Sequence, residues 1–67
     1  MNDYTIPLSV QITCVRREIA FRESLYPKWV EAKRIKKEVA DRELVTMRAV
    51  LSTLISLDVS GGRLFDG

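Results

Sequence analysis

"VRREIAFRESLYPKWVEAKRIKKEVADRELV", Val15–Val45, decides how this chain folds. Apolar residues recur at helical spacing on both sides of "YPKW", and a 3.6-residue period predicts amphipathic helices. Tyr26 precedes a proline, which disfavours the helical region for it. Pro27 suits the start of a further turn through Lys28–Ala32. The reading is a helix over 8–25, a connector over 26–36 and a second helix over 37–57. Residues 1–7 form an N-terminal tail, and 58–67 a flexible C-terminal tail in which Gly61-Gly62 is a strong stop signal. Lys33–Lys36 contains neither Gly nor Pro, so one long bent helix competes with this division.

Projection at 100° per residue separates the two helices in character. The second has one apolar stripe: Val39, Ala40, Leu44, Met47, Val50, Leu51, Leu54 and Leu57. The first has two. Leu8, Ile12, Val15, Ile19 and Tyr26 form one, and Val10, Cys14, Phe21 and Leu25 form another about a third of a turn away. Two apolar stripes imply two neighbours. The predicted fold class is therefore all-α: an antiparallel helical hairpin that dimerises into a four-helix bundle. The competing arrangement folds the short segment around Trp29 and Val30 back over the second stripe within one chain.

Glu18 and Arg22 stand i,i+4 between the stripes of the first helix, and Glu43 interrupts the stripe of the second. With a turn centred near position 31, Glu43 falls within one turn of Arg22. The expectation is a partly buried Arg22–Glu43 pair with Glu18 as second acceptor, since a guanidinium serves two carboxylates. Reading Glu18 and Glu43 as catalytic carboxylates is the weaker alternative, because no nucleophile, metal ligand or phosphate-binding glycine loop accompanies them. No catalytic residue, no cofactor and no metal site is expected. The 67 residues include no histidine and a single cysteine, Cys14, so neither a disulfide nor a zinc site offers itself as a staple.

The formal charge is +2 but unevenly placed: eight of the eleven Lys and Arg lie within Val15–Lys37. Lys28, Lys33, Arg34, Lys36 and Lys37 gather at the turn beside Tyr26 and Trp29. Those seven residues are the candidate partner-binding surface. Cations beside aromatics suit an acidic protein patch or single-stranded nucleic acid. The plainer reading has the aromatics cap the core while the lysines face water. Leu64-Phe65 behind Gly61-Gly62 forms a candidate docking peptide. No apolar run has the length of a membrane span, and the N-terminus lacks a signal-peptide pattern, so the expected location is cytoplasmic.

The blocks "VRREIAFRESLYPKWVEAKRI" and "ADRELVTMRAVLSTL" resemble a group of small helical-hairpin proteins of bacteriophages and prophages. The resemblance covers about Val10 to Leu54. It rests on Arg16-Arg17-Glu18, Arg22, Tyr26-Pro27-x-Trp29-Val30, and Ala40-Asp41-x-Glu43 with Met47. Members often carry a glycine before the connector arginine, where this chain has Lys33. The resemblance implies a small helical protein acting in a bacterial host cytoplasm. It suggests a non-enzymatic role: binding a host protein, such as a defence or regulatory component, and inhibiting or modulating it. A nucleic-acid-binding accessory protein, or a structural or assembly protein, is the alternative.

Overall fold

The computed structural model describes residues 5–66, with side chains over 5–59. Two helices, α1 (Leu8–Glu31) and α2 (Lys37–Asp66), pack antiparallel as a hairpin. The hairpin is long and thin, 51 × 26 × 18 Å. No helix among the described residues is long and apolar enough to cross a membrane.

Pro7 leads into α1 in extended conformation, φ −57° and ψ 148°. Its carbonyl accepts the Val10 and Gln11 amides at 3.0 and 3.1 Å. The Gln11 side chain folds back and donates to the Ile6 carbonyl at 2.8 Å. Ser9 lies inside the helix, and its carbonyl accepts the Thr13 hydroxyl.

The expected end of α1 at Leu25 is corrected. The helix runs through Pro27 to Glu31. Proline removes one amide, the partner of the Glu23 carbonyl, and crowds that carbonyl. Packing on both sides of it outweighs this cost: Tyr26 is buried and Val30 half-buried. Because α1 continues as one helix through this region, Trp29 and Val30 do not fold back over the second stripe. The expected end of α2 at Leu57, with Gly61-Gly62 as the stop signal beyond it, is corrected too, since helical backbone continues to Asp66. Neither glycine takes a positive φ, so each carries only the propensity cost of about 1 kcal/mol relative to Ala. The side chains of Leu64 and Phe65, the candidate docking peptide, lie outside the described residues.

The seam between the helices is narrow. Ile19, Tyr26 and Ala40 are the only buried side chains among those described. Leu8, Ile12, Val15, Leu25 and Val30 from α1 and Leu44, Met47, Leu51, Leu54 and Ile55 from α2 are half-buried. On α2 the expected stripe is thus too wide. Val39, Val50 and Leu57 are exposed on its flank, while Ile55 joins the seam. On α1 the stripes separate as their angles require: Val10, Cys14 and Phe21 stay exposed, Phe21 by 60%.

The Arg22–Glu43 pair is corrected. Arg22 donates from Nη1 to Glu18 Oε1 at 2.7 Å and to the Glu18 carbonyl at 3.1 Å, all along its own helix. The hydrogen bond to Glu18 is the main reason its guanidinium is held above its ordinary pKa. Glu43 is exposed and borders an outer hollow with Glu38, Val39 and Arg42. The physical reason is register. The turn sits at 32–36, later than assumed, and the helices are matched by an ion pair between Arg48 and Glu23, which leaves Glu43 on the outer flank.

Candidate functional site at the hairpin tip

The tip is built by the way α1 ends. Ala32 is its C-cap, and Lys33 follows with φ +60°. The Lys33 amide bonds the Val30 carbonyl at 3.0 Å, and the Arg34 amide bonds the Trp29 carbonyl at 2.8 Å. These are the two bonds of a Schellman motif, whose left-handed residue is most often glycine. A lysine occupies it here, so the chain turns sharply without a glycine. The carbonyl of Lys36 then accepts the Ala40 amide at 3.0 Å, and α2 begins.

This turn brings Lys33, Arg34, Lys36 and Lys37 around one shallow depression of ≈ 540 Å³, with Val30, Ile35 and Glu38 completing its lining. Val30 and Ile35 are half-buried and supply its apolar part. Among the described residues Lys33, Arg34 and Lys36 have no ion-pair partner, whereas Lys37 is tied to Asp41 at 2.8 Å. That bond is the main reason the Lys37 ammonium is held above its ordinary pKa. Ile35, a lone apolar residue in a basic connector, is the signal in the sequence that could have pointed to this apolar lining.

The aromatics are placed differently from the cations. Tyr26 is buried in the seam, and Trp29 is half-buried against it, ring centroids 5.8 Å apart and planes at 33°. Neither ring lines the basic depression. Tyr26 instead walls a separate groove of ≈ 430 Å³ beside Pro27, Val30, Ala40 and Leu44, rimmed by Glu23, Glu31 and Asp41. Lys28 is exposed on α1, outside both hollows. Of the seven residues singled out in the sequence, the structure therefore unites four. Tyr26 does the work of a core residue, and Trp29 stays partly exposed beside it.

A third groove, ≈ 630 Å³, lies at the open end of the hairpin. It is lined by Ile6, Val10, Gln11, Cys14 and Val15 from α1 and by Val50 and Leu54 from α2. The second stripe of α1 and the exposed flank of α2 thus share one side of the molecule. No protein-family model matches the chain, and no curated protein or solved structure matches it significantly.

Proposed function

We propose that this chain is a non-enzymatic binding protein of phage or prophage type, working as a homodimeric four-helix bundle. Its tip engages an acidic surface of a host protein and thereby inhibits or modulates that protein. The observation that carries this reading is the depression at the tip, where three cations without an ion-pair partner among the described residues, Lys33, Arg34 and Lys36, surround Val30 and Ile35. Carboxylates flanking an apolar side chain are the complementary chemistry, because charge steers the encounter while a central apolar contact supplies affinity. The resemblance of "VRREIAFRESLYPKWV" to small phage proteins supports a stoichiometric role in the host cytoplasm.

Capture from bacterial host lysate tests this. The wild-type chain should retain a defined partner that Lys33→Glu/Arg34→Glu loses, with helicity unchanged because both side chains are exposed. Equal retention by both forms would remove the tip from the mechanism. Retention of nucleic acid alone, weakening log-linearly with salt, would replace the host protein by the alternative partner. Burial of Tyr26 disfavours that outcome, since base stacking needs accessible rings.

A further inference from the structure

We propose that the partner covering the apolar side of the hairpin is a second copy in antiparallel orientation, each Phe21 seating in the open-end groove of the other chain. The inference rests on the proposed dimer and adds its geometry and its consequence.

The whole chain exposes 5681 Å². A compact monomer of 7.7 kDa exposes about 4,300 Å². The excess, roughly 1,400 Å², comes from the elongated hairpin and the chain ends together, and a standard interface removes about 800 Å² from each partner. Many of the uncovered apolar residues lie on one side: Val10, Cys14 and Phe21 on α1, and Val39, Val50 and Leu57 on α2, with Leu25, Met47 and Leu54 half-covered beside them, while Val45 and Val59 are exposed elsewhere on α2.

Two hairpins packed face to face about a two-fold axis have two arrangements. With tips together, α1 lies on the α2 of its partner. With tips at opposite ends, α1 lies on α1 and α2 on α2, each pair antiparallel. Two identical antiparallel helices related by a two-fold axis must match themselves, so each contact stripe has to read the same from both ends. Both stripes do. Val10, Cys14, Phe21 and Leu25 are symmetric about the Arg17–Glu18 peptide, pairing Val10 with Leu25 and Cys14 with Phe21 of the other copy. Met47, Val50, Leu54 and Leu57 are symmetric about Ser52, pairing Met47 with Leu57 and Val50 with Leu54.

The two centres must also stand at the same height in the hairpin. The contact between Glu23 and Arg48 marks positions at similar height on the two helices. Moving from it toward the open end, Arg17–Glu18 and Ser52 are reached within about two residues of each other, roughly 3 Å.

Charge agrees with this choice. At the centre of the α1 stripe Arg17, without an ion pair among the described residues, meets Glu18 of the second copy. Glu18 gives Oε1 to Arg22, and its other oxygen has no bond among the described residues. The axis forms this pair twice. The opposite ends of the dimer then hold Lys33, Arg34 and Lys36 of each chain, which a tips-together dimer would crowd against their equivalents. The groove fits as well. Lined by Val10, Cys14, Val50 and Leu54, it stands opposite Phe21 of the second copy, the most exposed aromatic on this side.

The consequence is bivalence. The two basic tips face away from each other about 50 Å apart, so one dimer engages two copies of its target or two sites on an oligomeric one.

Sedimentation equilibrium and disulfide mapping test the inference. Wild type should be a dimer. Phe21→Lys should raise the dissociation constant at least ~100-fold while keeping its helicity at chain concentrations high enough to restore the dimer, because Phe21 makes little of the seam. In a second variant, Phe21→Cys, mild oxidation at high protein concentration should join the new thiol to Cys14 of the other chain. Within one chain these positions are about 10 Å apart along α1, beyond disulfide reach. Leu57→Cys should give no such cross-link to Cys14. A wild type that stays monomeric at millimolar concentration would overturn dimerisation itself. Intermolecular cross-linking of Leu57→Cys but not Phe21→Cys would overturn the orientation and leave a tips-together dimer. Partner capture by the tip is read separately, so loss of either result is distinguishable from failure of the binding role.

Discussion

Replacing Lys33 by glycine should make the protein more stable. Lys33 holds φ +60° at the end of α1, where an L-residue pays roughly 1–2 kcal/mol for the approach of its Cβ to the following carbonyl. Glycine avoids that cost but loses more conformational freedom on folding, by about 0.5–1 kcal/mol. The difference leaves a net gain of about 0.5–1 kcal/mol. Nothing else offsets it: the Lys33 side chain is exposed and takes part in no ion pair among the described residues. An unfolding entropy near 2.1 cal/mol/K per residue amounts to about 0.14 kcal/mol/K for this chain, so the melting temperature should rise by about 4–7 °C. In a dimer the gain and the entropy both double, and the shift at fixed concentration is much the same. Far-ultraviolet circular dichroism melts of wild type, Lys33→Gly and Lys33→Ala at equal chain concentration provide the assay. Lys33→Ala removes the same charge and keeps the Cβ, so it should gain little. If glycine is no more stabilising than alanine, the left-handed turn at position 33 is wrong, and the arrangement of Lys33, Arg34 and Lys36 around the depression goes with it.

Pro27→Ala restores an amide to the middle of α1, and chemical denaturation should show a gain of about 1 kcal/mol, a fraction of the cost of an interior proline. Ile19→Ala opens the seam at one of its three buried side chains and should cost about 2–4 kcal/mol, enough to leave the hairpin largely unfolded in thermal melts. The Lys37–Asp41 contact is tested by pH. Hydrogen bonding to Asp41 raises the Lys37 pKa above 10.5, so its contribution is complete below that pH and disappears as pH climbs through the higher folded value. Wild type should therefore keep its margin over Lys37→Met between pH 6 and 9 and lose it in strongly alkaline melts, and a margin lost between pH 6 and 9 would contradict the assignment.

The two helices and their antiparallel packing were legible because the apolar period is long and regular on both sides of the connector. The end of α1 was not. Local chemistry at Tyr26-Pro27 points to a break, but the burial of Tyr26 and the Val30 contact are long-range, and they keep the helix going for another turn. That single extension moved the turn toward the C-terminus and shifted the register, which is why Glu43 was matched to Arg22 instead of facing outward. The basic tip was legible as composition. Its geometry was not, because it depends on Lys33 taking a backbone conformation that sequence preference assigns to glycine. Tyr26 and Trp29 are near the lysines in sequence, yet a helix sends adjacent residues to different sides, and Tyr26 turns to the seam with Trp29 beside it.

The three buried residues of the seam and the symmetry of the outer stripes bear on one question, why a chain of this size would be built this way. Ile19, Tyr26 and Ala40 hold two helices in register but bury little apolar area for so long a hairpin. Side chains such as Val10, Phe21 and Leu57 would each contribute about 1.5–3 kcal/mol if fully covered, and two copies cover each other's. In the proposed dimer, folding and self-association then become one event. A monomer at low concentration would be both unfolded and unable to present its tip, because the Schellman turn that orders Lys33, Arg34 and Lys36 exists only when α1 and α2 are formed. Binding activity and stability should accordingly rise together with concentration, as expected when the folded form is linked to association.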